Sequence, residues 1–193
     1  KLGGDPDVRL DFIQVYGGPP DRERVLDALA AFQHSLVTPN ARFDRYLAGE
    51  RGAITAEEEQ GYRQFKAYGC AACHQGRNVG GNLFQRFGIF ADPFADKANV
   101  SEADLGRFTL AGNEADRYVF RVPSLRNVAV TAPYFHDGRT QSLAEAVDLM
   151  ARSQLGRALP PEDVRLIVKF LGTLTGEYRG RPLASAPQDA PRQ

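Results

Sequence analysis

The sequence predicts a mainly α protein with long ordered loops, and three observations predict it. Apolar residues recur at helical spacing in several segments of ten or more residues. Those segments open on capping residues or proline and stop at glycine or proline. Signals for strands are scarce along the chain.

Taken in order, residues 1 to about 20 are rich in Gly, Asp and Pro, and "YGGPPD" reads as a turn leading into a helix. That helix runs from Asp21 to about Thr38, with Val25, Leu29, Phe32 and Leu36 in one apolar stripe and His34 facing solvent. "TPN" ends it, and "RFDRYLAGE" is a short helical or turn segment. At Thr55 a new helix starts, with Glu58 three residues on as its capping-box partner, and it delivers its C-terminus to Cys70. Residues 76 to about 99 carry much Gly and Phe without a period and read as an ordered loop, of a length that is uncommon unless it wraps a ligand or serves a function. A short helix is expected near Ser101–Phe108, followed by a segment in which Pro123 and Pro133 oppose continuous helix. Ser142 caps a further helix, and Pro161 begins a last one stopped by Gly176. Residues 179–193 read as an extended or disordered tail.

The composition narrows function. With 24 basic and 24 acidic residues, no bulk field draws the protein onto nucleic acid or anionic lipid. No apolar run is long enough to span a membrane, and "KLGGDPDVRLDF" has no signal-peptide pattern, so the chain reads as mature, processed or truncated. The 193 residues suffice for one domain, or one domain and part of another.

Both cysteines and one of the three histidines fall in "GCAACHQG". C-x-x-C-H has a specific chemistry: the two thiols add across the vinyl groups of haem, and the adjacent imidazole reaches the iron. Here those residues are Cys70, Cys73 and His74. A thioredoxin-like site wants a βαβ setting, and a structural zinc site wants a second ligand pair; neither pattern is present. The long Gly- and Phe-rich loop after the motif adds to the haem reading. For the other face of the iron, Met150 is the one methionine, although Leu143, Ala146, Val147 and Met150 share a helical face, which also describes an ordinary core residue. His136 in "YFHDG" competes as a ligand or as a structural histidine, and His34 is the weakest candidate.

Beyond these residues, "AAFQHSLVTPNARFDRYLAGE" (30–50), "ITAEEEQGYRQFKAYGCAACHQGRNVGGNLFQRFG" (54–88), "VPSLRNVAVTAPYFHDGRTQSLAEAVDLM" (122–150) and "QLGRALPPEDVRLIVKFLGTLTGE" (154–177) carry a resemblance. The chain resembles the bacterial di-haem cytochrome c peroxidases and their methylamine-utilisation relatives, and matches their C-terminal haem domain. The resemblance implies a cytochrome c-like helical domain wrapped around one covalently attached haem, over residues 39–178, with residues 1–38 closing a preceding haem domain. It implies Cys70 and Cys73 as attachment points, and His74 and Met150 as axial ligands of a high-potential electron-transfer haem. In the methylamine-utilisation relatives a tyrosine replaces that methionine. The resemblance also implies calcium held partly by the carbonyl oxygens of Thr131 and Pro133, suited to a hard cation, and a role for His136 near the haem. Arg121 and Arg126 are candidates for binding haem propionates.

The implied function is electron entry in a periplasmic enzyme: a small cytochrome c or copper protein delivers electrons, which pass to a second haem where hydrogen peroxide is reduced. On this reading the chain alone only transfers electrons, and a homodimer stays open. The alternatives are a free-standing mono-haem electron carrier without peroxidase activity and, more remotely, a thiol or zinc protein.

Overall fold

The computed structural model of the chain describes residues 2–95, 97 and 99–183. The chain divides into two compact units, residues 1–39 and 40–193.

The first unit holds two helices. Asp5 caps α1 (Pro6–Tyr16): its carboxylate accepts from the backbone N–H groups of Asp7 at 3.0 Å and Val8 at 3.2 Å, and proline opens the first turn. Gly17, at φ 72°, closes it by donating to the Ile13 carbonyl at 2.9 Å. The sequence pattern reads as turn here, because the Gly, Asp and Pro that flank α1 as caps outweigh its short apolar pattern. Asp21 caps α2 (Arg22–Ser35), accepting from the Arg24 N–H at 2.9 Å, and the Tyr16 hydroxyl donates to Asp27 Oδ2 at 3.0 Å. α2 stops before Thr38, since Pro39 disfavours helical geometry in the residue before it. Leu29, Phe32 and Leu36 of the expected stripe are exposed, and so is His34.

The helices of the second unit are α3 (Arg42–Leu47), α4 (Ala56–Ala67), α5 (Phe108–Ala111), α6 (Leu143–Leu155) and α7 (Pro161–Gly172). α4 starts as expected: Glu58 N–H donates to Thr55 Oγ1 at 3.3 Å while Thr55 N–H donates to Glu58 Oε2 at 2.8 Å. Arg42 then clamps the same carboxylate at 2.5 and 2.7 Å, tying α3 to α4. The core forms where α4 packs on α7. Leu166, Ile167, Phe170, Leu171 and Leu174 are buried along one face of α7 and just past it, each stabilising by about 1.5–3 kcal/mol. Phe43, Tyr62 and Phe65 pack their rings around Phe170 at centroid distances of 5.1 to 5.3 Å. α7 ends four residues before Gly176, because the Thr173 carbonyl accepts from the Phe43 N–H at 3.1 Å instead of continuing the helix. Ser142 stands at the N-cap of α6, but its hydroxyl makes no capping hydrogen bond.

Two short ribbons interrupt the helices. Within the long loop, β1 (Phe84–Arg86) pairs antiparallel with β2 (Val119–Arg121), Phe84 facing Arg121 and Arg86 facing Val119; three residues are too few to show a period in sequence. β3 (Glu177–Tyr178) pairs with β4 (Arg181–Pro182), so the first residues of the expected tail fold back, while residues 184–193 lie outside the described residues. The helix expected near Ser101–Phe108 is broken into a 3-10 turn at Glu102–Leu105 and α5. Gly106 breaks it: a Cβ there would stand 2.4 Å from the Val119 carbonyl, which instead accepts from the Arg107 N–H at 2.8 Å. The mainly α, cytochrome c-like fold class with long loops holds.

Candidate functional site

α4 hands the chain to the motif through Gly69 at φ 86°, a left-handed geometry that releases the helix. A 3-10 turn over Cys70–Ala72 follows, and the N–H groups of Cys73 and His74 both donate to the Cys70 carbonyl, at 3.3 and 3.0 Å. The pentapeptide is therefore one tight coil carrying two free thiols and an imidazole. Cys70 packs against the core, and burial pushes its thiol up to about 11.

His74 Nδ1 lies 3.2 Å from the Pro123 carbonyl oxygen. A carbonyl only accepts, so Nδ1 carries the proton and Nε2 keeps its lone pair. Burial lowers the imidazole's proton affinity, with hydrogen bonding to Pro123 and Val79 in partial opposition, which favours the neutral ring a metal requires. In the sequence Pro123 signals only a break in helix; its carbonyl is the site residue that sequence reasoning missed.

Around that carbonyl, two segments are laced together. Gly81 N–H donates to Val122 O at 2.8 Å, Val122 N–H to Leu83 O at 2.9 Å, Leu125 N–H to Val79 O at 3.1 Å, and Ser124 Oγ to Asn78 O at 2.7 Å. Arg126 continues the lacing. Its guanidinium donates to both oxygens of Asp44 at 2.8 Å and to the Arg77 carbonyl at 2.6 and 3.0 Å, which holds α3 against this loop. Arg121 donates from Nε to Gly81 O at 2.9 Å.

Met150 is half-buried on α6. Leu143 and Val147 of the same helix pack on the core cluster, but among the described residues Met150 is not one of the side chains packed there. Its helix is joined to the Cys-His coil by the long loop. The Gln154 side chain accepts from the N–H groups of Gly88 at 2.8 Å and Ile89 at 3.2 Å and donates to Arg86 O at 2.9 Å, and Phe90 N–H donates to Ser153 O at 2.9 Å. The loop thus begins at His74 and docks one turn beyond Met150.

Thr131 and Pro133 stand in an exposed stretch after the 3-10 turn Val128–Val130. His136 is engaged elsewhere. Its Nε2 lies 2.7 Å from Oδ1 of Asp104, and its ring stacks on Phe120 at 4.8 Å, contacts that a structural histidine makes. Asp104 is fully buried and also accepts from Lys97 Nζ at 2.6 and 2.8 Å, Ser101 N–H at 2.6 Å and Ser101 Oγ at 2.7 Å. Burial alone would raise this carboxyl, but the bonds from Lys97, Ser101 and His136 outweigh it and hold the group well below the ordinary carboxylate range.

Comparison with known proteins decides the family. The family model described as di-haem cytochrome c peroxidase matches residues 1–52. The chain is 42% identical to the cytochrome c551 peroxidase of Nitrosomonas europaea over 97% of its own length and 56% of that protein's. It is 43% identical to the cytochrome c peroxidase of Escherichia coli over 92% of its length and 38% of that protein's. The chain belongs to the di-haem cytochrome c peroxidase family. Within that family it is also 32% identical to the methylamine utilization protein MauG of Methylorubrum extorquens over 97% of its length and 54% of that protein's. A solved MauG-like protein associated with microbial copper homeostasis superposes with a TM-score of 0.72 at 26% identity, covering 90% of this chain and 60% of that one. The chain thus spans about half the length of the curated peroxidases it matches. Membership implies haem c, and the residues present fit it: two free thiols on one coil, and a neutral imidazole whose distal nitrogen is the unprotonated one.

Proposed function

We propose that this chain is the electron-entry c-type haem domain, the C-terminal half, of a bacterial di-haem cytochrome c peroxidase working in the periplasm. Cys70 and Cys73 are its attachment points, His74 Nε2 the proximal ligand and Met150 the distal one. When bound, haem supplies one-electron chemistry at iron, poised by its axial ligands. The observation that supports this reading most is the His74 imidazole, oriented through Nδ1 by the Pro123 carbonyl beside both thiols. The chain's residues then have distinct tasks: Pro123 fixes the imidazole tautomer, Phe65 and Val79 keep water from the proximal side, and the loop docked by Gln154 spans from that side to the helix of Met150.

A small cytochrome c or copper protein delivers the electrons, and peroxide is reduced to water at a second haem carried by the other half. With both His74 and Met150 on the iron, this chain offers peroxide no vacant position. The carbonyl oxygens of Thr131 and Pro133, exposed as a partner-facing loop requires, contribute to a calcium site completed by the other half. The retained Met150 and the higher identity to the peroxidases, 42 and 43% against 32% for MauG, favour the peroxidase branch.

The test is absorption spectroscopy of the haem-loaded chain, oxidised and reduced, repeated on Met150→Ala. A low-spin spectrum that opens to exogenous ligands in the variant is expected. An unchanged spectrum removes Met150 from the iron, and peroxide turnover by this chain alone at the rate of a two-haem enzyme refutes the division of labour.

A further inference from the structure

We infer that Gly80 is a positioning residue for the iron: by lying bare against the Pro123 carbonyl it holds the His74 Nδ1–H···O bond, and so sets how strongly the imidazole donates. The inference rests on the reading of His74 as proximal ligand. Gly80 sits at φ +126°, and a Cβ there would fall 2.1 Å from the Pro123 oxygen, 2.9 Å from its carbonyl carbon and 3.2 Å from His74 Nδ1. Any side chain must drive the carbonyl off the imidazole or move the imidazole itself. The neighbouring Gly81 makes no such demand, since its nearest contact is Arg121 Nη2 at 3.5 Å.

Neither partner can yield easily. Gly80 N–H is held on Gln75 O and Val79 N–H on Gly76 O, both at 2.9 Å, which closes the loop on itself. Pro123 is pinned on both sides, by the bonds at Val122 and at Ser124 and Leu125, and Arg126 anchors the far end to Asp44. The carbonyl therefore stands where this lacing puts it, and the lacing closes only over a glycine.

The electronic consequence follows from the hydrogen bond. A donated Nδ1–H makes the imidazole a stronger donor, which favours ferric iron. One electron enters the iron on reduction and no proton leaves Nδ1, so weakening the bond raises the reduction potential. A hydrogen bond is worth on the order of 1 kcal/mol, and a shift of up to about tenfold in the redox equilibrium corresponds to ~59 mV for a one-electron couple.

The experiment compares the haem-loaded chain with Gly80→Ala, Gly81→Ala and Ser124→Ala by redox titration and by proton exchange of the His74 Nδ1–H in the reduced form. Gly81 is also at positive φ, +85°, so Gly81→Ala carries the backbone strain without the carbonyl clash. For Gly80→Ala a retained low-spin spectrum, an equilibrium shifted up to about tenfold towards ferrous iron and Nδ1–H exchange at least about tenfold faster are expected. Ser124→Ala, and Gly81→Ala through its bond to Val122, should each move both readouts in the same direction by clearly less than Gly80→Ala. Should Gly80→Ala fail to fold, Ser124→Ala decides by the same two signals. Unchanged potential and exchange in the variants, or a Gly81→Ala shift equal to that of Gly80→Ala, overturns the inference. An unaltered chain without a histidine-ligated spectrum removes the underlying reading instead.

Discussion

Replacing Gly61 with alanine is the sharpest test of how the core supports the motif. Gly61 lies buried in α4, and a Cβ there would stand 1.9 Å from the Leu166 carbonyl oxygen of α7, 2.6 Å from its carbon and 3.0 Å from Phe170 Cβ. A carbon and an oxygen in contact sit at about 3.3 Å or more, so the helices must part by roughly 1.4 Å. Overpacking of this kind costs about 1–3 kcal/mol, and two backbones in contact put this site at the upper end. Alanine returns about 1 kcal/mol of helix propensity, leaving a net loss of about 2 kcal/mol. For a chain of 193 residues that lowers Tm by roughly 4–8 °C, measurable by circular dichroism. Gly172, in α7, is the control, because a Cβ added there would meet nothing within 4 Å: Gly172→Ala should leave Tm unchanged or raise it by a few degrees. Equal stability of Gly61→Ala and the parent would refute the backbone-to-backbone contact between α4 and α7.

Other outcomes follow from the same contacts. The Asp104 carboxyl is held below its ordinary value in the fold, so the stability it confers is complete above about pH 5 and lost as pH falls through ~4 towards the lower folded value. In urea melts the stability gap between the parent and Asp104→Asn should therefore begin to narrow below about pH 5 and still be narrowing at about pH 3; a gap that stays constant speaks against the buried network. The Tyr68 hydroxyl donates to Asp163, which also accepts from Gln64 Nε2 at 3.2 Å, and Tyr68→Phe should cost about 1 kcal/mol by thermal melting. Before haem attachment, Cys70 should alkylate slowly at pH 8 because burial raises its thiol to about 11. After attachment, mass spectrometry should find neither cysteine alkylated, and labelling of either one would count against the thioether links.

Much of the site was legible because its chemistry is local in sequence. Cys70, Cys73 and His74 declare themselves within five residues, and the Thr55–Glu58 box is a contact between near neighbours. What escaped was written at long range. Pro123 meets His74 across 49 residues, β1 and β2 are each three residues long, and Arg126 meets Asp44 across 82. α1 was hidden for another reason: its caps are the same Gly, Asp and Pro residues that mark turns. Met150 shows the intermediate case, for a helical period names the face but not the neighbour, and only packing separates it from Leu143 and Val147.

The Gln154 amide carries no charge. It grips Arg86, Gly88 and Ile89 through backbone atoms alone, so acidification, which strips Asp104 of its ionic partners, leaves this clasp untouched, and added salt has nothing there to screen. Acid strong enough to protonate that carboxyl should accordingly loosen the molecule unevenly, freeing the segment around Ser101 while the strap from the thiol coil to the methionine helix stays buckled.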